Sequence, residues 1–250
     1  MSSNEKSYDM VIETRIRPPT YWDHITIALA EFLGTTTLVF LSCMGSCFGI
    51  QGAVSSMHTS FTAGLAVAAV IQTFGHISGA HINPAVSLNA LVVNQIGWQH
   101  LPSYVIPQIL GSLSGAALFV SITNSEHLEI QAGGHGICVN GINENITITQ
   151  GLFVEILLSI ILNLANCASW DARNSDKLDS MSLKIGTLVV VLNLGGGAYT
   201  GASMNPARSF GPAVWSGDYK NHWIYWVGPV GGSLIASFTY KFVFLKNKSN

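Results

Sequence analysis

Two asparagine–proline–alanine triplets carry the most pointed chemistry in this chain. Asn83-Pro84-Ala85 follows the small-residue stretch Ser78-Gly79-Ala80-His81, and Asn205-Pro206-Ala207 follows Thr200-Gly201-Ala202-Ser203. Proline suits the first turn of a helix, where its missing N–H is no loss, and asparagine is a good N-cap just before it. Each triplet therefore reads as a helix start whose free backbone donors and positive dipole end point forward. Two such starts in an apolar chain imply a pore with two dipoles facing one point.

Three charged residues stand close to these starts or inside apolar runs. Arg208 lies one turn into the second helix start, where an uncompensated charge is costly and usually functional. It is expected to line an outer constriction, donate to solutes and repel cations, rather than snorkel to the surface. Glu31 and Glu155 are the carboxylates inside the apolar runs. They read either as proton or cation sites of a coupled transporter, or as structural acceptors for backbone N–H groups of the neighbouring loops. Their matched placement in the two halves favours the structural role. His76 and His81 flank the first loop and are expected to brace it or a cytoplasmic vestibule rather than bind metal.

Composition defines the medium. Of 250 residues, 48% are hydrophobic and only 10% are charged, against roughly 25% charged in a soluble domain. The net charge of −2 gives nucleic acid no footing, so the partner is a lipid bilayer. Six runs approach the ~20 residues a span needs: about Ile25–Phe48, Thr59–His76, Ser103–Thr123, Gly151–Ala168, Leu183–Ala198 and Trp223–Phe244. Two shorter pieces, about Pro84–Val93 and Pro206–Trp215, can cover only half a bilayer and must be re-entrant. The fold expected is an all-α membrane protein of six transmembrane helices and two re-entrant half-helices. One channel domain spans about 25–245, between tails 1–24 and 246–250.

Basic residues orient it. Lys6, Arg15 and Arg17 precede span one; Arg173, Lys177 and Lys184 lie between spans four and five; Lys241, Lys246 and Lys248 sit at or beyond the end of span six. Six spans put all nine on one side, and the positive-inside rule makes that side, with both termini, cytoplasmic. The third loop, 124–150, carries Glu126, Glu129 and Glu144 without Lys or Arg and holds the sequon Asn145-Ile146-Thr147, a glycosylation candidate. Ser180 and Ser182, in the fourth loop, are candidate phosphorylation sites. Of the four cysteines, Cys43 and Cys47 are one helical turn apart and read as packing residues; Cys138 and Cys167 complete no metal spacing, and no disulfide framework is expected.

The chain repeats itself. Glu31 answers Glu155 at an offset of 124 residues, and Asn83 answers Asn205 at 122. Three spans per repeat, about 25–123 and 150–245, is an odd number, so the halves must be inverted, with their broken elements meeting at the midplane. Small residues in the spans (Gly34, Gly64, Gly111, Gly115, Gly186, Gly195, Gly196 and Gly197) permit close helix approach. Gly195–Gly197 would either free carbonyls toward the pore or loosen the end of span five.

The paired boxes, with Ala30-Glu31-Phe32-Leu33-Gly34-Thr35 and Trp223-Ile224-Tyr225-Trp226-Val227-Gly228-Pro229, resemble the aquaporin, or major intrinsic protein, family over about Ala28 to Val243. The resemblance implies a homotetramer with one pore per subunit, and the plasma membrane as its site. It also implies a four-residue outer filter, which the family's spacing assigns to Ala63, Asn193, Ala202 and Arg208. Water-selective members typically have phenylalanine and histidine at the first two positions. Here a methyl and a short amide replace both rings, and Phe61, about 200° round the helix from Ala63, should not fill the gap. Ser209 and Tyr225-Trp226 depart from the usual glycerol-channel pattern. The combination is similar to the insect entomoglyceroporins, solute channels descended from water channels.

The function expected is a passive channel for water and small uncharged solutes (glycerol, urea, small polyols) that excludes protons and ions. Asn83 and Asn205 would each donate an amide N–H to a passing oxygen and so interrupt a proton wire. A water-only channel is the alternative; a proton-coupled transporter using Glu31 and Glu155, or a non-conducting junction protein, are the further ones. No nucleophile–base pair, metal cluster or phosphate loop suggests an enzyme or a cofactor.

Overall fold

The computed structural model describes residues 20–47, 56–124, 128 and 138–245. Lys6, Arg15, Arg17, Glu126, Glu129, Lys246 and Lys248 lie outside the described residues. Among the described residues eight α-helices follow in order: α1 Tyr21–Met44, α2 Ser56–Ser78, α3 Pro84–Val92, α4 Leu101–Ile122, α5 Ile148–Trp170, α6 Met181–Thr200, α7 Pro206–Ser216 and α8 Ile224–Thr239. Five of them are long and apolar enough to cross a membrane. The sixth crossing, α8, has 16 α-helical residues and is lengthened by a π-helical turn, Tyr240–Phe244. The half-helices α3 and α7 have 9 and 11 residues.

Local chemistry sets these boundaries. Reciprocal capping boxes open α1 (Thr20 with Asp23) and α5 (Thr147 with Gln150). Asn83 and Asn205 cap α3 and α7 ahead of a first-turn proline. Left-handed Gly201 and Gly217, at φ 74° and 71°, end α6 and α7. α6 continues through Gly195–Gly197 to Thr200, so these glycines do not loosen the helix end.

The spans pack at glycine contacts. α4 lies on α1 where Gly115 faces the Thr36 carbonyl; a β-carbon there would meet it at 2.5 Å. α5 and α8 repeat the arrangement, with Gly228 against Glu155 and Gly232 against Ile156. α2 and α6 meet at Gly64 and Gly186. Interior positions are polar or small, as at Glu31, Gln108, Ser112, Glu155 and Asn163, all fully buried. Large aliphatic side chains such as Leu29, Leu65, Ile106 and Leu157 point outward, the pattern of a bundle solvated by lipid.

Cys43 and Cys138 form a disulfide, their Cα atoms 4.9 Å apart. This corrects the expectation that Cys43 only packs. Cys47 does remain a buried free thiol in the same cluster with Val39, Ala116 and Phe119. The partners are 95 residues apart, and connectivity cannot be deduced from local spacing. Ser182 is buried and bonded to Gln72, which removes it as an accessible modification site. Asn145 is exposed, while the Thr147 hydroxyl of its sequon serves the α5 cap.

A polar knot ties the α5–α6 loop to the end of the chain. The Asp171 carboxylate accepts from Arg173 and from the Tyr240 hydroxyl, and Arg173 also donates to the Phe244 carbonyl. Lys241 donates to the Val92 carbonyl at the end of α3, where the helix dipole favours a cation. The Arg173 guanidinium holds the Asp171 carboxyl well below the usual carboxylate range. A depressed folded-state pKa stabilises the protein above the unfolded value and loses that contribution only as pH falls through the folded one. The Asp171→Asn variant is therefore expected to unfold a few degrees lower than the native protein, by the same margin at every pH from 8 to 5, in thermal unfolding followed by circular dichroism. A margin that closes within that window contradicts the assignment.

Candidate functional site: a midplane pore between two half-helices

The loops before α3 and α7 adopt one unusual backbone twice. Gly79, Ala80 and Ile82 have φ of 87°, 46° and 45°; Gly201, Ala202 and Met204 have φ of 74°, 46° and 53°. Left-handed geometry is uncommon outside glycine, and for a branched residue such as Ile82 it costs on the order of 1–3 kcal/mol. The surroundings must over-determine it, and a buried carboxylate does so in each half. Glu31 accepts from the N–H groups of His81 (2.9 Å) and Ile82 (2.6 Å), from Ser78 (2.6 Å) and from Gln108 (2.8 Å). Glu155 accepts from the N–H groups of Ser203 (2.9 Å) and Met204 (2.8 Å) and from Thr200 (2.6 Å). Every partner is a donor, which suits an ionised carboxylate, an acceptor on both oxygens.

Two further pairs complete the symmetry, and the sequence reading passed over both. Tyr104 donates to the Ser78 carbonyl and Tyr225 to the Thr200 carbonyl, at an offset of 121 residues. Ser112 donates to the Ala207 carbonyl and Ser233 to the Ala85 carbonyl, again 121 apart. The offset drifts from 124 at the glutamates to 122 at the asparagines, and a scan a few residues either side of it would have found both pairs. The symmetry is incomplete: Gln108 serves Glu31, and Pro229 holds the corresponding place in α8.

At the meeting point the asparagines cross-link the two loops. Asn83 Nδ2 donates to the Met204 carbonyl at 2.9 Å, and Asn205 Nδ2 to the Ile82 carbonyl at 2.8 Å. Their Oδ1 atoms cap their own helices, accepting from Ala85 and from Ala207 and Arg208. An amide nitrogen carries two hydrogens. One of each pair is thus committed to the opposite loop, leaving one per asparagine for the lumen.

The two asparagines line a cavity of about 90 Å³ that also includes Ala63, Asn193, Ala202 and Arg208. Neither Phe61 nor Tyr199 lines it; both are largely exposed on the outside of the bundle. Met204 does line it. Gly195–Gly197 are not among the residues that line this cavity. Arg208 is held by one guanidinium nitrogen, Nη1, which donates to the Cys138 carbonyl (2.8 Å) and to Asn140 Oδ1 (2.6 Å). Asn140 also donates to the Gly201 carbonyl and accepts from Ser209. The segment Cys138–Asn140 that orients Arg208 is therefore stapled to α1 through Cys138. Asn193 donates one amide hydrogen to the Val189 carbonyl of its own helix (3.0 Å), which leaves its oxygen and its second hydrogen for the cavity.

His81 is buried, bonded to Ser87, stacked on Tyr104 with ring centroids 4.3 Å apart, and lines the cavity. His76 is exposed in the last turn of α2 and makes no hydrogen bond to the loop among the described residues, so bracing falls to His81 alone. No cluster of three or more His, Cys, Asp or Glu suited to a metal ion occurs among the described residues.

The profile of the major intrinsic protein family matches residues 20–240. The chain belongs to that family. Its curated relatives include the lens fiber major intrinsic protein of Ovis aries, 36% identical over 91% of this chain and 83% of the relative. Aquaporin-2 of Bos taurus is 39% identical over 86% and 77%. Aquaporin-4 of Homo sapiens is 39% identical over 90% and 68%. Among solved structures, the aquaglyceroporin of Plasmodium falciparum shares the fold, with a TM-score of 0.77 at 24% identity over 88% of this chain and 96% of that one. Members of the major intrinsic protein family are membrane channels rather than enzymes, and this chain is one of them.

Ala202 offers the lumen no thiol, and the free thiols Cys47 and Cys167 are buried away from it. Mercurials are therefore expected to leave most of the water flux of reconstituted protein intact and to block an Ala202→Cys variant. Strong block of the native protein would contradict this arrangement of the lumen.

Proposed function

We propose that this member of the family is a passive channel for water together with small uncharged solutes (glycerol, urea and small polyols), excluding protons and ions. The carrying observation is that Ala63 and Asn193 line the same cavity as Ala202 and Arg208, with no aromatic ring from α2 or α6 at that level. A bore wider than one water needs hydrogen-bond partners for each polar group a solute strips of water. Arg208 offers the donors left on Nε and Nη2, and Asn193 offers an acceptor.

Charge exclusion rests on the two helix N-termini and the guanidinium. Proton exclusion rests on the asparagines. Each retains one amide hydrogen, and a water accepting from both is left with donors that point away from the next water in either direction. Glu31 and Glu155 then act as structural anchors, not coupling sites, because their oxygens are occupied by loop donors. The proposed channel is a homotetramer in the plasma membrane, with cytoplasmic termini and a filter akin to that of the entomoglyceroporins. Arg173 and Lys241 at the α5–α6 end of the bundle support that orientation. One observation favours the competing water-only reading: Met204 lines the cavity and could narrow it.

Stopped-flow light scattering of purified protein in liposomes separates the two. Glycerol and urea flux well above bare lipid is expected for the native chain, with loss of both in an Ala63→Phe/Asn193→His variant that still passes water. Water flux without solute flux in both proteins would make it a water channel.

A further inference from the structure

Position 42 carries a hydroxyl that the fold does not use. Ser42 is 3% exposed, and its Oγ has no hydrogen-bond partner among the described residues. Helical serines and threonines commonly satisfy themselves on the carbonyl four residues back. Thr36, Thr37 and Ser46 on or beside the same helix all do so. Ser42 does not. Thr35 is likewise unpartnered, but it faces α4 at Gly111 and is outside the cavity. Ser42 lines the cavity, as does Leu38 one turn earlier, so one stripe of α1 forms part of the pore wall.

Its depth follows from its neighbour. Cys43 is bonded to Cys138, and the Cys138 carbonyl holds Arg208. Ser42 therefore stands at the level of the arginine. Ala63 on the adjacent α2 lines the same cavity and carries only a methyl group. Building on the solute-channel reading above, we infer that Ser42 is a further specificity-determining residue. Its hydroxyl makes a direct hydrogen bond to a permeating polyol, beside the Asn193 oxygen and the free Arg208 donors.

The three groups differ in kind. Arg208 only donates, the Asn193 oxygen only accepts, and the Ser42 hydroxyl does both. A solute with hydroxyls on successive carbons, each donor and acceptor at once, can engage all three as it sheds water. Water can use any one of them and needs none in particular. Removal of the Ser42 hydroxyl should therefore slow glycerol and spare water.

The test is stopped-flow permeability of the full chain in liposomes at matched protein density, with glycerol and water measured on the same preparation. Ser42→Ala is expected to lower glycerol permeability by about two- to tenfold, the range of one net hydrogen bond, with water permeability unchanged. Ser42→Thr, which keeps the hydroxyl, should retain the native ratio. Native glycerol flux that is unchanged or raised in Ser42→Ala overturns the role of Ser42 and leaves the solute-channel reading standing. Equal loss of glycerol and water overturns it too, as a packing effect. Absence of glycerol flux in the native protein overturns both.

Discussion

Two buried carboxylates hold the centre of this molecule. The loops ahead of α3 and α7 must turn their carbonyls and asparagines toward one another at the midplane. They manage this only through left-handed residues, Ala80 and Ile82 in one half and Ala202 and Met204 in the other. Such a backbone relaxes unless something grips it. Glu31 and Glu155 grip two consecutive N–H groups each, the hydroxyls of Ser78 and Thr200 donate to them as well, and Gln108 adds a fourth donor to Glu31. In a low-dielectric interior neither the carboxylates nor the loop N–H groups have water to fall back on, so each makes the other obligatory. The cross-loop bonds of Asn83 and Asn205 follow from that grip.

Around this centre the fold is two copies of one solution. A tyrosine and a serine from α4 clasp the loop and the facing half-helix in one half, and their counterparts from α8 do so in the other. Glycines bring α4 onto α1 and α8 onto α5 closely enough for those side chains to reach. Much of this was legible from the chain alone. A carboxylate in an apolar run has few excuses, and a half-length helix start after a small-residue loop has one place to go. The spans came out within a few residues, with the drift at ends set by caps such as Thr20–Asp23 and Gly201 that apolarity does not mark. Gly228 and Gly232, by contrast, were missed, because a glycine at a helix crossing looks the same in sequence as one with open space beside it, like Gly195.

The outer filter was legible to a lesser degree. Its positions came from a family's spacing, and the chemistry at each depends on contacts no spacing reveals. Asn193 ties one amide hydrogen to its own helix and keeps its oxygen free. Arg208 is pinned by one nitrogen and keeps the others. Its anchor, Asn140, sits in a loop whose sequon at Asn145 gives no sign of that role. The Cys43–Cys138 disulfide links residues that only the folded chain brings together, so a local view of Cys43 and Cys47 found packing and overlooked the bond. Ser42 was one serine among many until its missing partner became visible.

The centre of the pore depends on the grip of the carboxylates. Glu155→Gln replaces one acceptor oxygen with an NH₂ group, which sets a donor against the loop's own N–H donors while keeping size and shape. The direct measurement is water permeability of that variant in liposomes, with its helix content and assembly checked against the native protein. A fall of at least about tenfold, the scale of 1.4 kcal/mol or more lost from a buried hydrogen-bonded site, in a protein that remains folded is the expected result. Native water flux in a folded Glu155→Gln protein would show that the loop holds its shape without the carboxylate.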